Sequence, residues 1–204
     1  MSETVTPVRV GQVVPNFNFT YYDPTTNGFG TSSLEDLKKA GKWSIFFFYP
    51  ADFTFVCATE FAALAEQQDE FAKLGAEILT VSSDTQYVHL AWRREEKALE
   101  SVKYKMVADP SGKIGRIFGC LEEAAGLSLR GTYIVSPEGK LMNADVNFFN
   151  MGRNIDEIMR KFKANTYLST HPAETCPAKW KSEGDKTLTP GPGLVGKVGE
   201  ALKR

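Results

Sequence analysis

The feature that most constrains the fold is a dense apolar run, Trp-Ser-Ile-Phe-Phe-Phe, at positions 43–48. Such a run predicts a strand that is buried within a sheet. It is followed at 49–60 by YPADFTFVCATE, which leads into a segment with helical spacing. We therefore expect Cys57 in the first turn of a helix, where the helix macrodipole favours a thiolate. This position favours a reactive cysteine over a structural one.

The length and composition are typical of one globular domain, or of one domain with a tail. The chain has 204 residues, of which 42% are hydrophobic and 24% are charged, so it can bury a sizeable core. Its formal net charge of −1 gives no electrostatic reason to expect nucleic acid or an anionic membrane as a partner. Residues 1–4 lack the basic and apolar regions of a signal peptide, so none is expected. The longest apolar run is far shorter than the about 20 residues of a membrane span.

The chain has three cysteines, Cys57, Cys120 and Cys176, and no two of them are close in sequence. An odd and sparse set argues against a secreted disulfide scaffold and fits a reducing compartment, so a cytoplasmic location is expected. The only histidines are His89 and His171, and no Cys-x-x-Cys or His-x-x-x-His pair exists. We therefore expect neither a metal site nor a bound cofactor.

Periodicity and turn residues predict strands that alternate with helices. A hairpin or irregular arm is expected at 10–22 before a turn at 23–28, and Ser33 is expected to cap a short helix that ends at Gly41. Ser83 or Asp84 is expected to cap the helix predicted at 87–99. The further predicted strands are 43–48, 77–82, 106–109, 131–136 and 139–146; the further helices are 60–74, 87–99, 114–118 and 154–164. The pattern predicts an α/β fold with a mixed central sheet covered on both faces by helices, in a domain at 1–165 with an extended arm at 166–204.

A fast thiol reaction needs more than an ionised sulfur. A free cysteine has a pKa near about 8.5, so only about 3% is thiolate at neutral pH. Complete ionisation would therefore raise the thiolate fraction only about 30-fold. Most of the acceleration must come from groups that stabilise the transition state.

The sequence offers three candidates for such groups. Pro50 is expected to rigidify the strand exit and to shield the sulfur from water. Thr54, three residues before Cys57, can reach the sulfur and a bound oxygen together. The cation that the site still needs is expected to be an arginine at a strand start, and Arg130, just before the strand at 131–136, is the best-placed candidate.

These residues resemble the active-site signature of the peroxiredoxins, Pro-x-x-x-Thr-x-x-Cys, at positions 50–57. The wider chain is similar to the alkyl hydroperoxide reductase C subgroup of typical two-cysteine peroxiredoxins, from about residue 8 to 198. The stretches that carry the similarity are FFFYPADFTFVCATEF at 46–61, VSSDTQYVHLAW at 81–92, GLSLRGTYIVSPEGK at 126–140 and HPAETCPAKWK at 171–181.

The resemblance implies a thioredoxin-like fold and a thiol peroxidase that reduces hydrogen peroxide and organic hydroperoxides. Cys57 would attack the peroxide O–O bond and become a sulfenic acid. Pro50, Thr54 and Arg130 correspond to the other three motif residues. Glu60 lies where the family often has a glutamate that helps to orient the arginine.

Cys176 matches the resolving cysteine of this subgroup, which condenses with the sulfenic acid to form a disulfide between two subunits. The resemblance therefore implies a homodimer, commonly in a ring of five dimers. The reductant stays open between thioredoxin, a dedicated flavoprotein disulfide reductase and other small dithiol proteins. Independently of the resemblance, Cys176 lies in the arm at 166–204, and a thiol that must travel is suited to a segment of low stability.

Two positions depart from the family pattern or lie outside it. Ala58 stands where this subgroup usually has proline, and we expect the chemistry to survive because alanine is compatible with a helix. The turn is expected to unwind slightly more easily without the fixed φ of proline. Cys120 is not a catalytic position of the family and is expected to be a small core residue.

Three alternatives to a two-cysteine peroxidase make different predictions. A holdase chaperone activity, as the alternative or as a secondary activity, would not need the reactive sulfur. A Cys57→Ser variant would then still protect unfolded client proteins. A disulfide isomerase is disfavoured because the chain has no Cys-x-x-Cys. If Cys176 is not the resolving cysteine, as in a one-cysteine peroxiredoxin, the wild type and a Cys176→Ser variant would give the same dimer-sized band on non-reducing electrophoresis after peroxide.

Overall fold

A computed structural model describes residues 6–203 of the chain. The expectation about a signal peptide rests on residues 1–4, which lie outside this range. The strands are β1 (Asn18–Asp23), β2 (Gly28–Ser33), β3 (Trp43–Phe48), β4 (Ala76–Ser82), β5 (Lys105–Ala108), β6 (Leu121–Glu122), β7 (Leu127–Ser128), β8 (Arg130–Val135) and β9 (Leu141–Asn147). The helices are α1 (Leu34–Lys39), α2 (Phe55–Lys73), α3 (Gln86–Glu95), α4 (Lys113–Phe118), α5 (Ile155–Thr170) and α6 (Val198–Ala201), with 3-10 turns at Lys97–Leu99 and Pro192–Leu194.

Seven of these strands form a mixed sheet in the order β2-β1-β5-β4-β3-β8-β9. Strands β3, β4 and β5 are parallel, whereas β8 pairs antiparallel with both β3 and β9. All six residues of β3 are buried, so both faces of the sheet are covered there. Phe46 and Phe48 belong to the large apolar cluster that also includes Phe118, while Tyr49 packs on Phe61 and Trp92. The mixed α/β sheet predicted from the sequence is confirmed.

The sequence predicted a hairpin or an irregular arm at 10–22, but the hairpin of the structure spans residues 18–33, so its second strand was missed. Strands β1 and β2 pair in antiparallel fashion across the predicted turn, and β1 also pairs with β5. Strand β2 contains two glycines, which hide a strand pattern. Gly30 lies opposite Tyr21, and a Cβ at Gly30 would come within 2.5 Å of the tyrosine ring. The glycine is therefore required by the close cross-strand ring.

The bounds of helices α2 and α3 differ from the predicted ones. Helix α2 begins at Phe55, five residues before the predicted start, because its first turn includes Phe55, which is 93% exposed and does not fit an apolar stripe. Helix α3 ends at Glu95 instead of Leu99, and its N-cap is Thr85. Neither Ser83 nor Asp84 caps it; the Asp84 carboxylate instead accepts hydrogen bonds from the Asp52 amide and the Ser82 hydroxyl. The predicted cap at Ser33 is confirmed, since its hydroxyl accepts from the Asp36 amide.

Within residues 6–203, the chain divides into two compact units, one that ends at Ile155 and one that begins at Asp156. The first contains the seven-stranded sheet. In the second, α5 continues to Thr170, beyond the predicted end at Ala164, and Thr175 and Leu188 form an isolated antiparallel bridge. The predicted boundary at 165/166 falls inside α5, and the division into a domain and a functional arm stays a prediction. No helix within residues 6–203 is long and apolar enough to cross a membrane.

Candidate active site

Cys57 is the third residue of helix α2, at the end of the loop that leaves strand β3. Thr54 is the N-cap and has extended backbone angles, so the chain turns from strand to helix within six residues. The expectation that Cys57 lies in the first helical turn is confirmed. The amide groups of this turn lack partners within the helix, and their dipoles point toward the start of the helix, where negative charge is stabilised. The Cys57 side chain is fully buried.

Arg130 brings positive charge to this sulfur from 73 residues away. It is the first residue of β8, whose pairing with β3 places Thr132 opposite Phe47. Arg130 Nη1 lies 3.3 Å from Cys57 Sγ. Its Nε donates to the carbonyl oxygen of Phe149 at 2.7 Å, which fixes the plane of the guanidinium. The sequence-predicted arginine therefore does contact the predicted cysteine.

Glu60 lies one turn after Cys57 on the same face of α2, at the helical spacing of three residues. Its Oε2 accepts from Arg130 Nη1 at 2.7 Å, and the carboxylate is almost completely buried. Burial acts to raise the pKa of this carboxyl. The hydrogen bonds and charge of Arg153, with the charge of Arg130, outweigh that effect and hold the pKa below its usual value. Glu60 is thus an ionised group that fixes Arg130 beside the sulfur.

Arg153 is part of the same cluster and was missed in the sequence. Its guanidinium and backbone amide donate to both oxygens of Glu60, with Nε 2.9 Å from Oε1 and Nη2 2.9 Å from Oε2. The guanidinium carbon also lies 3.3 Å from the centre of the Phe47 ring, a cation–π contact. No short-range motif could reveal Arg153, because it follows a loop and lies 93 residues from Glu60.

The cluster of Arg130, Arg153 and Glu60 carries a net charge of +1 beside a buried sulfur. Ion pairs that are removed from water are held in fixed geometry and are poorly screened. Such a cluster stabilises negative charge that develops at the sulfur or on an oxygen next to it. This is the chemistry expected of a site that carries out nucleophilic attack on an electronegative atom.

Pro50 and Thr54 flank the loop between β3 and α2. Pro50 is buried, and the Thr54 hydroxyl donates to the carbonyl oxygen of Ala51 at 2.8 Å. This bond leaves the hydroxyl oxygen able to accept a hydrogen bond. The expected contact of Thr54 with a bound oxygen stays a prediction. Between these residues, Phe53 has a positive φ of 58°, which is unfavourable for a bulky side chain.

A buried polar network supports this loop and includes His89, for which the sequence pattern predicts no role. Asp52 accepts from the Tyr49 hydroxyl at 2.6 Å and lies 2.7 Å from His89 Nδ1. His89 Nε2 is 3.1 Å from the carbonyl oxygen of Val107, and the Asp52 amide donates to Asp84 at 2.8 Å. Burial raises the pKa of Asp52, although its bonds to His89 and Tyr49 act in the opposite direction. The network ties the loop to α3 and β5.

The other two cysteines differ in environment. Cys120 is fully buried in the apolar cluster, and burial raises the pKa of its thiol to about 12. Its predicted place in the core is confirmed. Cys176 lies in the unit formed by residues 156–204 and is partly exposed. Burial raises its thiol pKa as well, and the charge of Arg160 acts against that rise. Among residues 6–203, no group of three or more His, Cys, Asp and Glu side chains could hold a metal ion.

Comparison with known proteins gives a consistent result. A model of the AhpC/TSA family matches residues 10–144. Alkyl hydroperoxide reductase C of Staphylococcus haemolyticus is 45% identical over 87% of this chain and 92% of the relative. The protein of the same name from Staphylococcus aureus is 44% identical over 92% of this chain and 97% of the relative.

Solved structures give the same result for the fold. The crystal structure of Enterococcus faecalis AhpC has a TM-score of 0.78 and 40% identity, and the match covers 82% of this chain and 98% of the other. That of reduced Plasmodium vivax 2-Cys peroxiredoxin has a TM-score of 0.82 and 30% identity, with coverage of 89% and 93%. These likenesses confirm the thioredoxin-like fold.

Proposed function

The chain belongs to the AhpC/TSA family and is a peroxiredoxin, and from this premise we propose that it reduces hydrogen peroxide and organic hydroperoxides with Cys57 as the attacking group. The observation that carries the proposal is the 3.3 Å contact between Arg130 Nη1 and Cys57 Sγ, with Arg130 held by Glu60. A buried sulfur beside a fixed cation is suited to attack on a weak O–O bond, because negative charge develops on the leaving oxygen as that bond breaks.

In the proposed reaction, the Cys57 thiolate attacks the terminal oxygen of the hydroperoxide. The S–O bond forms as the O–O bond breaks, and the leaving alkoxide or hydroxide takes up a proton to give alcohol or water. The sulfur becomes a sulfenic acid. The Arg130 guanidinium stabilises the negative charge spread over sulfur and both oxygens, an electrostatic contribution that typically amounts to about 10²–10³ in rate for one donor.

Each further site residue has a distinct proposed role. Glu60 is a positioning residue that holds Arg130, and Arg153 holds Glu60 in turn. The Thr54 hydroxyl binds the peroxide oxygens next to the sulfur. Pro50, which is buried at the strand exit, keeps water away from the thiolate. These four residues and Arg130 would all act before the disulfide forms.

Cys176 is proposed as the resolving cysteine. Its thiol condenses with the Cys57 sulfenic acid of a second subunit, which forms the disulfide and releases water. A homodimer is therefore part of the proposal, with a ring of five dimers as the assembly. The dimer is supported by one edge of the seven-stranded sheet, which is formed by β9. Near the end of this strand, Val146 and Phe148 are 44% and 64% exposed, so the edge offers apolar side chains to a second subunit.

A dithiol protein such as thioredoxin, or a flavoprotein disulfide reductase, would return the disulfide to two thiols in a reducing, cytoplasmic compartment. A secondary holdase activity is favoured by exposed aromatic rings, of which Phe55 is 93% exposed. A Cys57→Ser variant separates the two activities, because client protection would persist without peroxide reduction.

The test is peroxide consumption with each candidate reductant in turn, for the wild type and for Cys57→Ser, Cys176→Ser and Cys120→Ser. We expect loss of turnover in the first two variants and near wild-type turnover in the third. Non-reducing electrophoresis after one equivalent of peroxide should show a dimer-sized band that needs both Cys57 and Cys176. Turnover by the Cys57→Ser variant would exclude the proposed function.

A further inference from the structure

His89 is completely buried on helix α3, and both of its ring nitrogens face oxygen atoms. Nδ1 lies 2.7 Å from Asp52 Oδ2, and Nε2 lies 3.1 Å from the carbonyl oxygen of Val107. In a neutral imidazole only one nitrogen donates, so a neutral His89 beside an ionised Asp52 would set two lone pairs against each other at one of these contacts. The geometry therefore requires one further proton, which the imidazole and the Asp52 carboxyl share.

The surroundings of this pair keep that proton in place. Both side chains are fully buried, so an ionised Asp52 without a donor from His89 would be costly. The Tyr49 hydroxyl donates to the second oxygen of Asp52 at 2.6 Å, so both oxygens of the carboxyl have a partner. Burial raises the pKa of Asp52 and the charge of Asp84 adds to that rise, whereas the bonds to His89 and Tyr49 oppose it.

Asp52 lies in the middle of the loop between β3 and α2, and its backbone reaches the threonine of the candidate active site. The peptide that joins Ala51 to Asp52 is held on both sides. Its amide donates to Asp84 Oδ2 at 2.8 Å, and its carbonyl oxygen accepts from the Thr54 hydroxyl at 2.8 Å. Because the hydrogen of that hydroxyl is committed to the carbonyl, its lone pairs are what it offers to a peroxide. The orientation of Thr54 thus depends on one peptide, whose amide belongs to the residue that His89 binds.

We propose that His89 is a positioning residue for peroxide reduction, which acts through Asp52 and the 51–52 peptide to orient the Thr54 hydroxyl. The inference rests on the proposed function, in which this hydroxyl binds the peroxide oxygens. The cation beside the sulfur comes from β8 and does not depend on the loop. Loss of the bond from His89 therefore weakens the contact with peroxide on the Thr54 side alone. Misplacement of such a group by about 1 Å can cost on the order of 10²-fold in rate.

The shared proton is tested first, without peroxide, by NMR of the full chain with ¹⁵N-labelled histidine. The chain has two histidines, so His171→Gln leaves His89 as the only labelled ring. Both allowed states of the pair place a hydrogen on Nε2, and we expect that hydrogen to exchange slowly with solvent because the ring is buried. A ring with its hydrogen on Nδ1 alone would overturn the one-proton pair, whether or not the protein reduces peroxide.

The second test is the rate constant of sulfenic acid formation at Cys57, measured by stopped flow with hydrogen peroxide. His89→Leu removes both ring nitrogens and should lower this rate on the order of 10-fold, a part of the loss expected for the Thr54 hydroxyl itself. His89→Asn keeps an N–H group at the place of Nδ1 and should stay within a few-fold of the wild type. His171→Gln, in the other compact unit, is the matched control and should leave the rate unchanged. Equal slowing of the leucine and asparagine variants would contradict a role for the bond to Asp52.

Asp52→Asn separates the hydrogen bond from the charge. An amide at this position can donate to His89 Nδ1 and accept from the Tyr49 hydroxyl, while Nε2 keeps its hydrogen for Val107. Every group is then satisfied without the shared proton, so the rate should stay within a few-fold of the wild type. Asp52→Ala, which removes both bonds, should lose on the order of 10-fold. A loss in Asp52→Asn as large as that in Asp52→Ala would exclude positioning through the hydrogen bond.

A double-mutant cycle distinguishes positioning from general destabilisation. His89→Leu should slow Thr54→Val by no more than about 2-fold, because the hydroxyl that it orients is already absent. In an Arg130→Lys background, His89→Leu should still cost its full factor. The same factor in all backgrounds would overturn the proposal, since a less stable site lowers every rate alike. If His89→Leu does not fold, Asp52→Ala takes its place in the cycle. Turnover that persists in Cys57→Ser would instead exclude the proposed function and leave the NMR result intact.

Discussion

The Glu60 carboxylate lies 2.7 Å from the Arg130 guanidinium nitrogen that itself lies 3.3 Å from Cys57 Sγ. One nitrogen therefore contacts both the carboxylate and the sulfur. Any change in the position of Glu60 is passed to the cation beside the thiol, which makes this pair the most sensitive point of the site.

Arg130→Lys should lower kcat/KM for hydrogen peroxide by on the order of 10²-fold, because an ammonium group cannot contact Phe149, Glu60 and the sulfur at once. Stopped-flow measurement of sulfenic acid formation reports the effect directly. Arg116→Lys is the control, since Arg116 pairs with Glu123 on the surface. Equal rates for Arg130→Lys and the wild type would remove Arg130 from the proposed mechanism.

Thr54→Val is expected to slow the same step by on the order of 10²-fold, whereas Thr54→Ser should stay within a few-fold of the wild type. Valine retains the branched shape of threonine and removes only the hydroxyl. Loss of the bond to the Ala51 carbonyl could also disturb the loop, so the thermal midpoint of both variants is measured alongside. A slow Thr54→Val protein with an unchanged midpoint supports direct contact with the peroxide; equal slowing of both variants contradicts it.

Glu60→Gln should change how stability depends on pH. The pKa of Glu60 is lowered in the folded protein from its usual value of 4.5, so ionised Glu60 stabilises the fold above that pH. This contribution is lost as the pH falls through the folded-state pKa. Urea unfolding between pH 7 and pH 3 should show the wild type losing its advantage over Glu60→Gln below about pH 4.5.

The control for that series is Glu66→Gln, which alters an exposed position of the same helix. Between pH 7 and pH 3, its free energy of unfolding should change in the same way as that of the wild type. A Glu60→Gln protein that also changes in this way would show that the buried carboxylate is not linked to folding in the way its two arginine contacts indicate.

Arg153→Met should destabilise the fold by about 3 kcal/mol, because it leaves the buried Glu60 carboxylate with one of its two guanidinium partners. Arg116→Met, which breaks an exposed pair, should have little effect. Urea denaturation at pH 7 measures both. If Arg153→Met lowers the free energy of unfolding as little as Arg116→Met does, Glu60 must find another partner.

Cys120 should resist iodoacetamide in the native protein at pH 8, since burial raises its thiol pKa to about 12 and covers the sulfur. It should react readily in denaturant. Peptide mass spectrometry after timed labelling separates it from Cys176, which is partly exposed and serves as the internal control. Native labelling of Cys120 at the rate of Cys176 would contradict the observed packing.

The parts of the site that could be predicted are those marked by local pattern. The buried strand before Cys57 and the strand predicted at 131–136 both follow from short-range spacing, and both are confirmed, the second as β8, which begins at Arg130. Arg153 and His89 could not be found in this way. Their partners, Glu60 and Asp52, are 93 and 37 residues distant, and only the sheet brings them together.

The helix bounds show a related limit. Periodicity detects a buried stripe, so it missed the first turn of α2, where Phe55 faces solvent. That turn is the one that carries Cys57. Side-chain hydrogen bonds also compete for the same residues: Asp84 has the right type and place for a helix cap, yet it binds the loop at Asp52 instead.

The pairing of β3 with β8 places Phe47 opposite Thr132 and so fixes on which face of the sheet Arg130 emerges. A slip of one residue would turn the guanidinium to the opposite face while leaving every thiol intact. In a refolded or engineered sample, thiol titration therefore counts all chains, whereas the initial burst of peroxide reduction counts only those whose central strands are aligned correctly. The ratio of the two is a direct assay of refolding yield.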